Sequence, residues 1–123
     1  MKDPRTEFTK KVIKFIKAIP EGKVATYSLI ATLAGKPQGS RGVGWILHSS
    51  SSAHELPWQR VVKSGGKLSF PEMSEPYFRQ KRLLELEGVT FANGKIDLKV
   101  YLWGKKVPKK EERFISKKLR KKA

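Results

Sequence analysis

The apolar residues of this chain fall into short segments, and glycine or proline closes those that have helical spacing. One segment ends at Pro20, another at Gly35 and a later one at Gly88. Isolated helices of this length are marginal in water, so they must pack against one another around a shared core. The 123 residues suffice for one such core and little else. We therefore predict a single domain.

The N-terminal third predicts two helices. Apolar residues at spacings of three and four place the first helix over residues 4–19, where Pro4 is a favourable start. After a turn at residues 20–22, Thr26 is a suitable N-cap for a second helix from Tyr27 to Ala34. Gly35 is expected to end this second helix.

A third helix is predicted from Arg41 to about Ser49, with Ser40 as its N-cap. The polar run 48–54 that follows is predicted to be a loop. Two short helices in succession indicate a helix-turn-helix, although the turn is longer than the usual three or four residues.

The second half of the chain predicts short strands around one more helix. Residues 56–62 are expected to form a buried turn and strand, and residues 65–69 a returning hairpin that serves as a wing. A fourth helix is predicted from Ser74 to Glu87, and a second hairpin over residues 89–100 around Asn93-Gly94. The predicted fold is mainly α with short β-hairpins (α+β), a winged helix-turn-helix.

Charge is the strongest indication of a partner. The chain has 27 lysines and arginines against 11 acidic residues, a net charge of +16. Residues 105–123 contribute ten of these basic residues, which separates a basic tail from a domain at 1–104. This tail is either a solvated segment or one that becomes ordered on DNA. A polyanion is the expected partner, and nucleic acid is favoured.

Other classes of function fit less well. No apolar run approaches the roughly 20 residues that span a bilayer, and the charged N-terminus lacks the apolar region of a signal peptide. We therefore expect no membrane partner and a cytoplasmic, nucleoid-associated location. The absence of cysteine excludes a thiolate nucleophile, and with only His48 and His54 we expect neither a metal nor a cofactor.

Several motifs together resemble one known family. The segment Pro57-Trp58-Gln59-Arg60-Val61, with Tyr27, Arg41-Gly42-Val43-Gly44 and Glu87-Gly88, is similar to the DNA-binding domain of the O6-alkylguanine-DNA alkyltransferases over about residues 7–91. In that family a Pro-Cys-His-Arg-Val segment carries the cysteine that accepts the alkyl group. The tryptophan at Trp58 resembles the alkyltransferase-like proteins, because neither an indole nor the Gln59 carboxamide is a strong nucleophile near neutral pH.

The resemblance implies roles for individual residues. It implies a pocket for a flipped base, with Trp58 as a wall and Val61 offering backbone contacts. Arg41 would fill the space left in the base stack, and Tyr27 would rotate the neighbouring phosphate. Glu87 is interpreted as structural. The predicted pocket comprises Tyr27, Trp58, Val61, Ser69, Phe70 and Pro71, and the predicted DNA contacts are Thr26, Tyr27, Ser40, Arg41, Gly42, Gly44 and Arg60.

Simpler interpretations remain open for these residues. Trp58 could fill the core, Arg41 could be an ordinary phosphate contact, and Tyr27 could be a packing residue. Gly42 and Gly44 suit both a narrow minor groove and close helix packing. Pro71 cannot supply the arginine that some alkyltransferase-like relatives place nearby, although Phe70 offers an aromatic face.

The resemblance implies a non-enzymatic sensor with no catalytic residue. Such a protein would bind O6-alkylguanine in double-stranded DNA as a monomer, flag it to nucleotide excision repair proteins and block alkyltransferase access. The alternative is a general winged-helix DNA-binding or regulatory protein without lesion specificity.

Overall fold

The computed structural model describes residues 4–104. The predicted basic tail, 105–123, lies outside the described residues. In chain order the elements are α1 (Pro4–Ala18), β1 (Ala25–Thr26), α2 (Tyr27–Leu33), α3 (Ser40–His54), a single-turn 3-10 helix (Trp58–Arg60), β2 (Val61–Val62), α4 (Glu75–Leu86), β3 (Phe91–Ala92), β4 (Lys95–Ile96) and α5 (Leu98–Tyr101).

Capping side chains set the starts of α2 and α4 where the sequence predicts them. The Thr26 hydroxyl accepts a hydrogen bond from the Leu29 amide at 3.1 Å, and the Ser74 hydroxyl accepts one from the Tyr77 amide at 3.3 Å. Each bond satisfies an amide that has no partner within its helix. The glycines that follow these helices have positive φ, +95° at Gly35 and +92° at Gly88.

Helix α3 is longer than predicted. It begins at Ser40, with Gly39 at the cap position and no side-chain cap, and it runs through the serine-rich segment that was predicted to be a loop. The hydroxyls of Ser49 and Ser51 donate to the carbonyls of Trp45 and Leu47, four residues earlier. These serines therefore find partners inside the helix and do not break it. The helix ends at Glu55, whose φ is +51°.

A parallel pair of strands ties the start of α2 to the segment that follows the 3-10 helix. Ala25 pairs with Val61 and Thr26 with Val62, and all four residues are buried. The turn predicted at 65–69 forms: the Gly66 amide donates to the Lys63 carbonyl at 3.1 Å, and the Lys63 amide donates to the Lys67 carbonyl at 2.9 Å. The returning segment does not become a strand paired with β2, because β2 pairs with β1 and Lys67 forms an isolated bridge with Lys95.

The second predicted hairpin forms, but it is shorter than expected. β3 and β4 pair antiparallel around Asn93 and Gly94, whose φ values of +54° and +73° suit a tight turn. The strand predicted through Leu98 and Val100 is instead α5. The Asp97 side chain accepts a hydrogen bond from the Lys99 amide at 2.9 Å and so starts a helical turn.

Two apolar clusters hold the elements together. The larger lies among α1, α2 and α3, and the smaller joins α4 to the β3–β4 hairpin. The predicted fold class is confirmed: the chain is mainly helical with small sheets, and α2 and α3 form a helix-turn-helix. Within residues 4–104, every helix falls short of the length and apolar character that crossing a bilayer requires.

Candidate nucleic-acid interface

An open cavity of about 320 Å³ lies between α3, α4 and the segment that carries Trp58. We call it the aromatic cavity. Its lining includes the aromatic rings of Tyr27, Trp58 and Phe70, and no carboxylate is among its lining residues. These are Tyr27, Gly44, Leu47, His48, Ser51, Trp58, Ser69, Phe70, Pro76 and Arg79.

Trp58 stands on the wall of this cavity. Its partly buried indole packs against the core of α1–α3. It also contacts the Phe70 ring edge-on, with the ring centroids 6.0 Å apart and the planes at 77°. Because Trp58 lines the open cavity and is only partly buried, part of the indole is accessible to a ligand there.

A chain of hydroxyls forms the polar wall of the aromatic cavity. The Tyr27 hydroxyl donates to Ser69 Oγ at 2.7 Å, and Ser69 Oγ donates to the Val61 carbonyl at 3.0 Å. Burial raises the pKa of Tyr27, and the hydrogen bond to Ser69 lowers it only in part. Tyr27 is therefore a neutral phenol at physiological pH, able to donate a hydrogen bond but not to act as a phenolate nucleophile.

The buried amide of Gln80 joins α4 to two walls of the aromatic cavity. Its Nε2 donates to the carbonyls of Gln59 and Val61, at 3.1 and 3.0 Å, and its Oε1 accepts from the Ser69 amide at 3.1 Å. The side chain is 0% exposed, so these bonds form in a low-dielectric interior where they strongly favour one arrangement. Gln80 thereby sets the position of Ser69 relative to the 3-10 helix.

Glu87 forms a second buried polar cluster beside the 3-10 helix. It accepts hydrogen bonds from Gln59 Nε2 at 2.8 Å, from Arg60 Nε at 2.9 Å and Nη2 at 3.2 Å, and from the Gly22 amide at 3.2 Å. Burial raises the pKa of the Glu87 carboxyl, but the bonds from Arg60, Gln59 and Gly22 and the charge of Arg60 outweigh it. The pKa therefore lies below its ordinary value of 4.5.

The Glu87 cluster corrects the predicted role of Arg60. Two of its guanidinium nitrogens bind Glu87, and Nη1 donates to the Ile19 carbonyl at 2.8 Å. The side chain is only 17% exposed. Arg60 therefore joins the 3-10 helix to α1 and α4, in place of the predicted DNA contact.

A second cavity of about 390 Å³ adjoins the first and shares Tyr27 with it. We call it the basic groove. It has three cationic side chains and four hydroxyls but no carboxylate, a combination that suits phosphate oxygens. The groove is lined by Tyr27, Ser28, Ser40, Arg41, Lys63, Ser64 and Lys67.

Two more predicted DNA contacts, Thr26 and Gly42, are not among the residues that line the basic groove. The Thr26 hydroxyl is buried and already caps α2. A Cβ at Gly42 would lie 3.1 Å from the Phe8 ring, so this glycine permits close packing of α3 on α1. Gly44 differs, because it lines the aromatic cavity, where a Cβ would lie 3.8 Å from the Tyr27 ring.

Two predicted pocket residues lie outside the aromatic cavity. The Val61 side chain is 0% exposed in the core, and its carbonyl already accepts from Ser69 and Gln80. Pro71 lies on the exposed segment beyond Phe70 and faces a different depression. From the segment 68–71, only Ser69 and Phe70 therefore line the aromatic cavity.

Five further residues line the aromatic cavity without having been predicted there: Leu47, His48, Ser51, Pro76 and Arg79. His48 follows Gly44 by four residues on α3, and Ser51 follows His48 by three. That spacing was available as a signal, but it was lost when residues 48–54 were interpreted as a loop. Arg79 lies on α4, where its guanidinium is 3.7 Å from Glu75 and 65% exposed, and the surface pattern of α4 does not distinguish it.

Comparison with known proteins gives one consistent result. The family model described as "6-O-methylguanine DNA methyltransferase, DNA binding domain" matches residues 7–89. The DNA base-flipping protein of Escherichia coli (strain K12) is 40% identical over 99 residues, which cover 78% of this chain and 74% of that protein. Alkyltransferase-like protein 1 of Schizosaccharomyces pombe is 37% identical over 102 residues, covering 79% and 94%.

A solved structure has the same fold. S. pombe Atl1, in complex with damaged DNA containing O6-carboxymethylguanine, superposes with a TM-score of 0.73 and 35% sequence identity. The match covers 85% of this chain and 100% of that one. The family match over residues 7–89 includes the helix-turn-helix and every residue that lines the two cavities.

Proposed function

Because this chain belongs to the family of the 6-O-methylguanine DNA methyltransferase DNA-binding domain, and within it to the alkyltransferase-like proteins, we propose that it recognises O6-alkylguanine in double-stranded DNA without repairing it. The damaged nucleotide flips out of the duplex and its base enters the aromatic cavity. The observation that carries this proposal is the position of Trp58, an indole on the wall of an open cavity.

The aromatic cavity has the chemistry that a flipped purine requires. Trp58 and Phe70 offer apolar and aromatic surface, and Tyr27 and Ser69 place hydroxyls at one wall. Stacking of a base on an aromatic side chain contributes roughly 1–3 kcal/mol, which is comparable to the few kcal/mol that flipping costs. A lesion weakens base pairing and lowers that cost, so the cavity favours damaged over normal guanine.

The basic groove supports a path for the DNA backbone beside the aromatic cavity. Arg41, Lys63 and Lys67 supply positive charge, and Ser28, Ser40 and Ser64 supply hydroxyl donors. Tyr27 lies on both cavities, so a phosphate in the groove would be next to the nucleotide whose base is in the cavity. The net charge of +16 adds long-range attraction to duplex DNA.

Alkyl transfer lacks a thiolate acceptor in this site. The chain contains no cysteine, Tyr27 is a neutral phenol, and the Gln59 carboxamide is hydrogen bonded to Glu87. Neither an indole nor a carboxamide can replace a thiolate as nucleophile. We therefore propose that the lesion leaves the complex chemically unchanged.

Binding without repair implies a role in signalling. By similarity to its family, the protein is proposed to act as a monomer that presents the lesion to nucleotide excision repair proteins and blocks alkyltransferase access. Co-precipitation of repair proteins with the protein bound to a lesion duplex tests the first role. Competition with an alkyltransferase for one lesion duplex tests the second, and protection of the methyl group is the expected result.

A titration with matched duplexes tests the main proposal. At one fixed salt concentration, the protein should bind a duplex with O6-methylguanine about tenfold or more tightly than the same duplex with guanine. Fixed salt is needed because nonspecific affinity falls steeply with ionic strength. Mass spectrometry of the protein and DNA after incubation should show the methyl group still on the DNA. Equal affinity for both duplexes would reject the proposal in favour of general winged-helix DNA binding.

The variant Trp58→Ala should lose most of the preference for the damaged duplex. Loss of the aromatic wall removes roughly 1–3 kcal/mol of stacking, about a tenfold loss or more in lesion affinity, while the basic groove is untouched. The variant Trp58→Phe retains an aromatic ring and serves as control, with an intermediate affinity. Binding of undamaged DNA should change little in both variants. An unchanged lesion preference in Trp58→Ala would mean that the indole only fills the core.

A further inference from the structure

Helix α3 carries a large apolar side chain on its outer face, where none is needed for folding. The Trp45 side chain is 70% exposed. Three other apolar side chains of α3 are buried, those of Val43, Ile46 and Leu47. The Trp45 indole contacts only the His48 ring among the aromatic groups described, with centroids 6.1 Å apart and planes tilted by 37°. A single exposed apolar residue needs no explanation by itself. The position of Trp45 beside the proposed interface, however, does need an explanation.

Trp45 lies beside both parts of the proposed interface. Arg41, one turn earlier on the same helix face, lines the basic groove. His48, whose ring contacts the Trp45 indole, lines the aromatic cavity. A duplex that places a phosphate at Arg41 and a base in the cavity therefore comes close to Trp45.

We propose that Trp45 inserts into the minor groove as an apolar wedge beside the flipped nucleotide, an inference that rests on the proposed function. The minor groove is about 6 Å wide, so a flat indole can enter it edge-first. Apolar side chains that enter this groove partly unstack a base step. Trp45 would thereby weaken stacking next to the lesion and favour the extrahelical state.

Charge identifies DNA as the occupant of this face. The outward residues of α3, Arg41, Trp45, His48 and Ser52, include no carboxylate, and the adjoining groove adds Lys63 and Lys67. A protein partner that covers an indole in such surroundings would need an acidic surface of its own. Duplex DNA supplies negative charge at the groove edges and apolar sugar and base surface between them.

Affinity measurements on three variants provide the first test. Trp45→Ala should bind the O6-methylguanine duplex about tenfold more weakly than the unaltered protein, and Trp45→Phe should bind with intermediate affinity, because a smaller aromatic ring is a poorer wedge. Leu86→Ala is the matched control. Leu86 is 74% exposed on α4 and lines neither cavity of the interface, so its loss should leave the affinity unchanged.

Fluorine NMR of protein labelled with 5-fluorotryptophan provides a second, direct test. The three tryptophans give three signals, which Trp45→Phe and Trp103→Phe assign. On addition of the lesion duplex, the Trp45 signal should move and lose its H2O/D2O isotope shift, because the indole leaves water. At saturating protein, a 2-aminopurine placed next to the lesion should brighten more with the unaltered protein than with Trp45→Ala.

The outcomes separate the two proposals. If the unaltered protein shows no preference for the damaged duplex, the proposed function fails. If that preference is present, while Trp45→Ala binds normally and the Trp45 signal keeps its isotope shift, then only the wedge is overturned, and the exposed indole is left as a surface for a protein.

Discussion

Replacement of Glu87 by glutamine should lower the free energy of unfolding by about 3 kcal/mol, near the lower end of what loss of one partner of a buried ion pair costs. The substitution removes the charge that pairs with Arg60, which keeps only 17% of its side chain exposed. For a domain of about 100 residues, the melting temperature should fall by roughly 12 °C or more. Thermal unfolding at neutral pH, followed by circular dichroism, measures the change.

A neighbouring glutamate on the same helix supplies the control for Glu87. The Glu85 carboxylate pairs with Lys81 Nζ at 3.3 Å on the surface, where the Lys81 side chain is 33% exposed and the Glu85 side chain is 50% exposed. Surface pairs of this kind contribute about 0–1 kcal/mol, so Glu85→Gln should melt close to the unaltered protein. Similar melting of both variants would show that the Glu87 cluster does not hold the fold together.

The pH dependence of the same comparison has a defined sign. The pKa of Glu87 is lower in the folded protein than its ordinary value of 4.5, so its stabilising contribution is fully present above about that pH. The contribution disappears as the pH falls through the folded-state pKa. The difference in free energy of unfolding between the unaltered protein and Glu87→Gln should therefore shrink below pH 4.5.

Replacement of Arg41 by alanine should weaken binding of the damaged duplex by about ten- to a hundredfold. Arg41 is exposed near the start of α3 and lines the basic groove. A hydrogen bond to a charged group contributes about 1.5–3 kcal/mol, which corresponds to that range. The loss should be larger for damaged than for normal DNA, because Arg41 is proposed to support the flipped state in addition to contacting phosphate.

Arg82→Ala removes the same charge from a position outside both cavities. Arg82 is exposed on α4 and should contribute only to general attraction, so its loss should lower affinity slightly and equally for both duplexes. Titrations over a range of salt concentrations separate this general effect from a specific one. If Arg41→Ala also loses affinity equally for both duplexes, Arg41 is a phosphate contact and no more.

Local sequence signals were sufficient for much of the fold. Thr26 and Ser74 marked helix starts, Gly35 and Gly88 marked helix ends, and Asn93-Gly94 marked a hairpin, because each acts on backbone within a few residues. The same is true of the family motif around Trp58. Its residues are contiguous in the chain, and the absence of cysteine is visible without a structure.

Features that depend on distant contacts were predicted poorly. The parallel pairing of β1 with β2 joins residues 36 positions apart, as between Ala25 and Val61, and no local pattern encodes it. The role of Arg60 depends on Glu87, 27 residues away, so an arginine in a basic protein was assigned to DNA. Helix α3 was ended too early because serine usually favours caps and turns, whereas here Ser49 and Ser51 bond back to their own helix.

The three hydrogen bonds of Gln80 have a consequence for the kinetics of recognition. Through one side chain, they connect the backbone of Gln59, Val61 and Ser69 to helix α4. The aromatic cavity therefore has a fixed shape before a nucleobase binds. The protein loses little conformational entropy when the base enters the cavity. Because the cavity does not have to rearrange, we expect the slow step of complex formation to belong to the duplex, with an observed rate that follows the opening of the modified base pair.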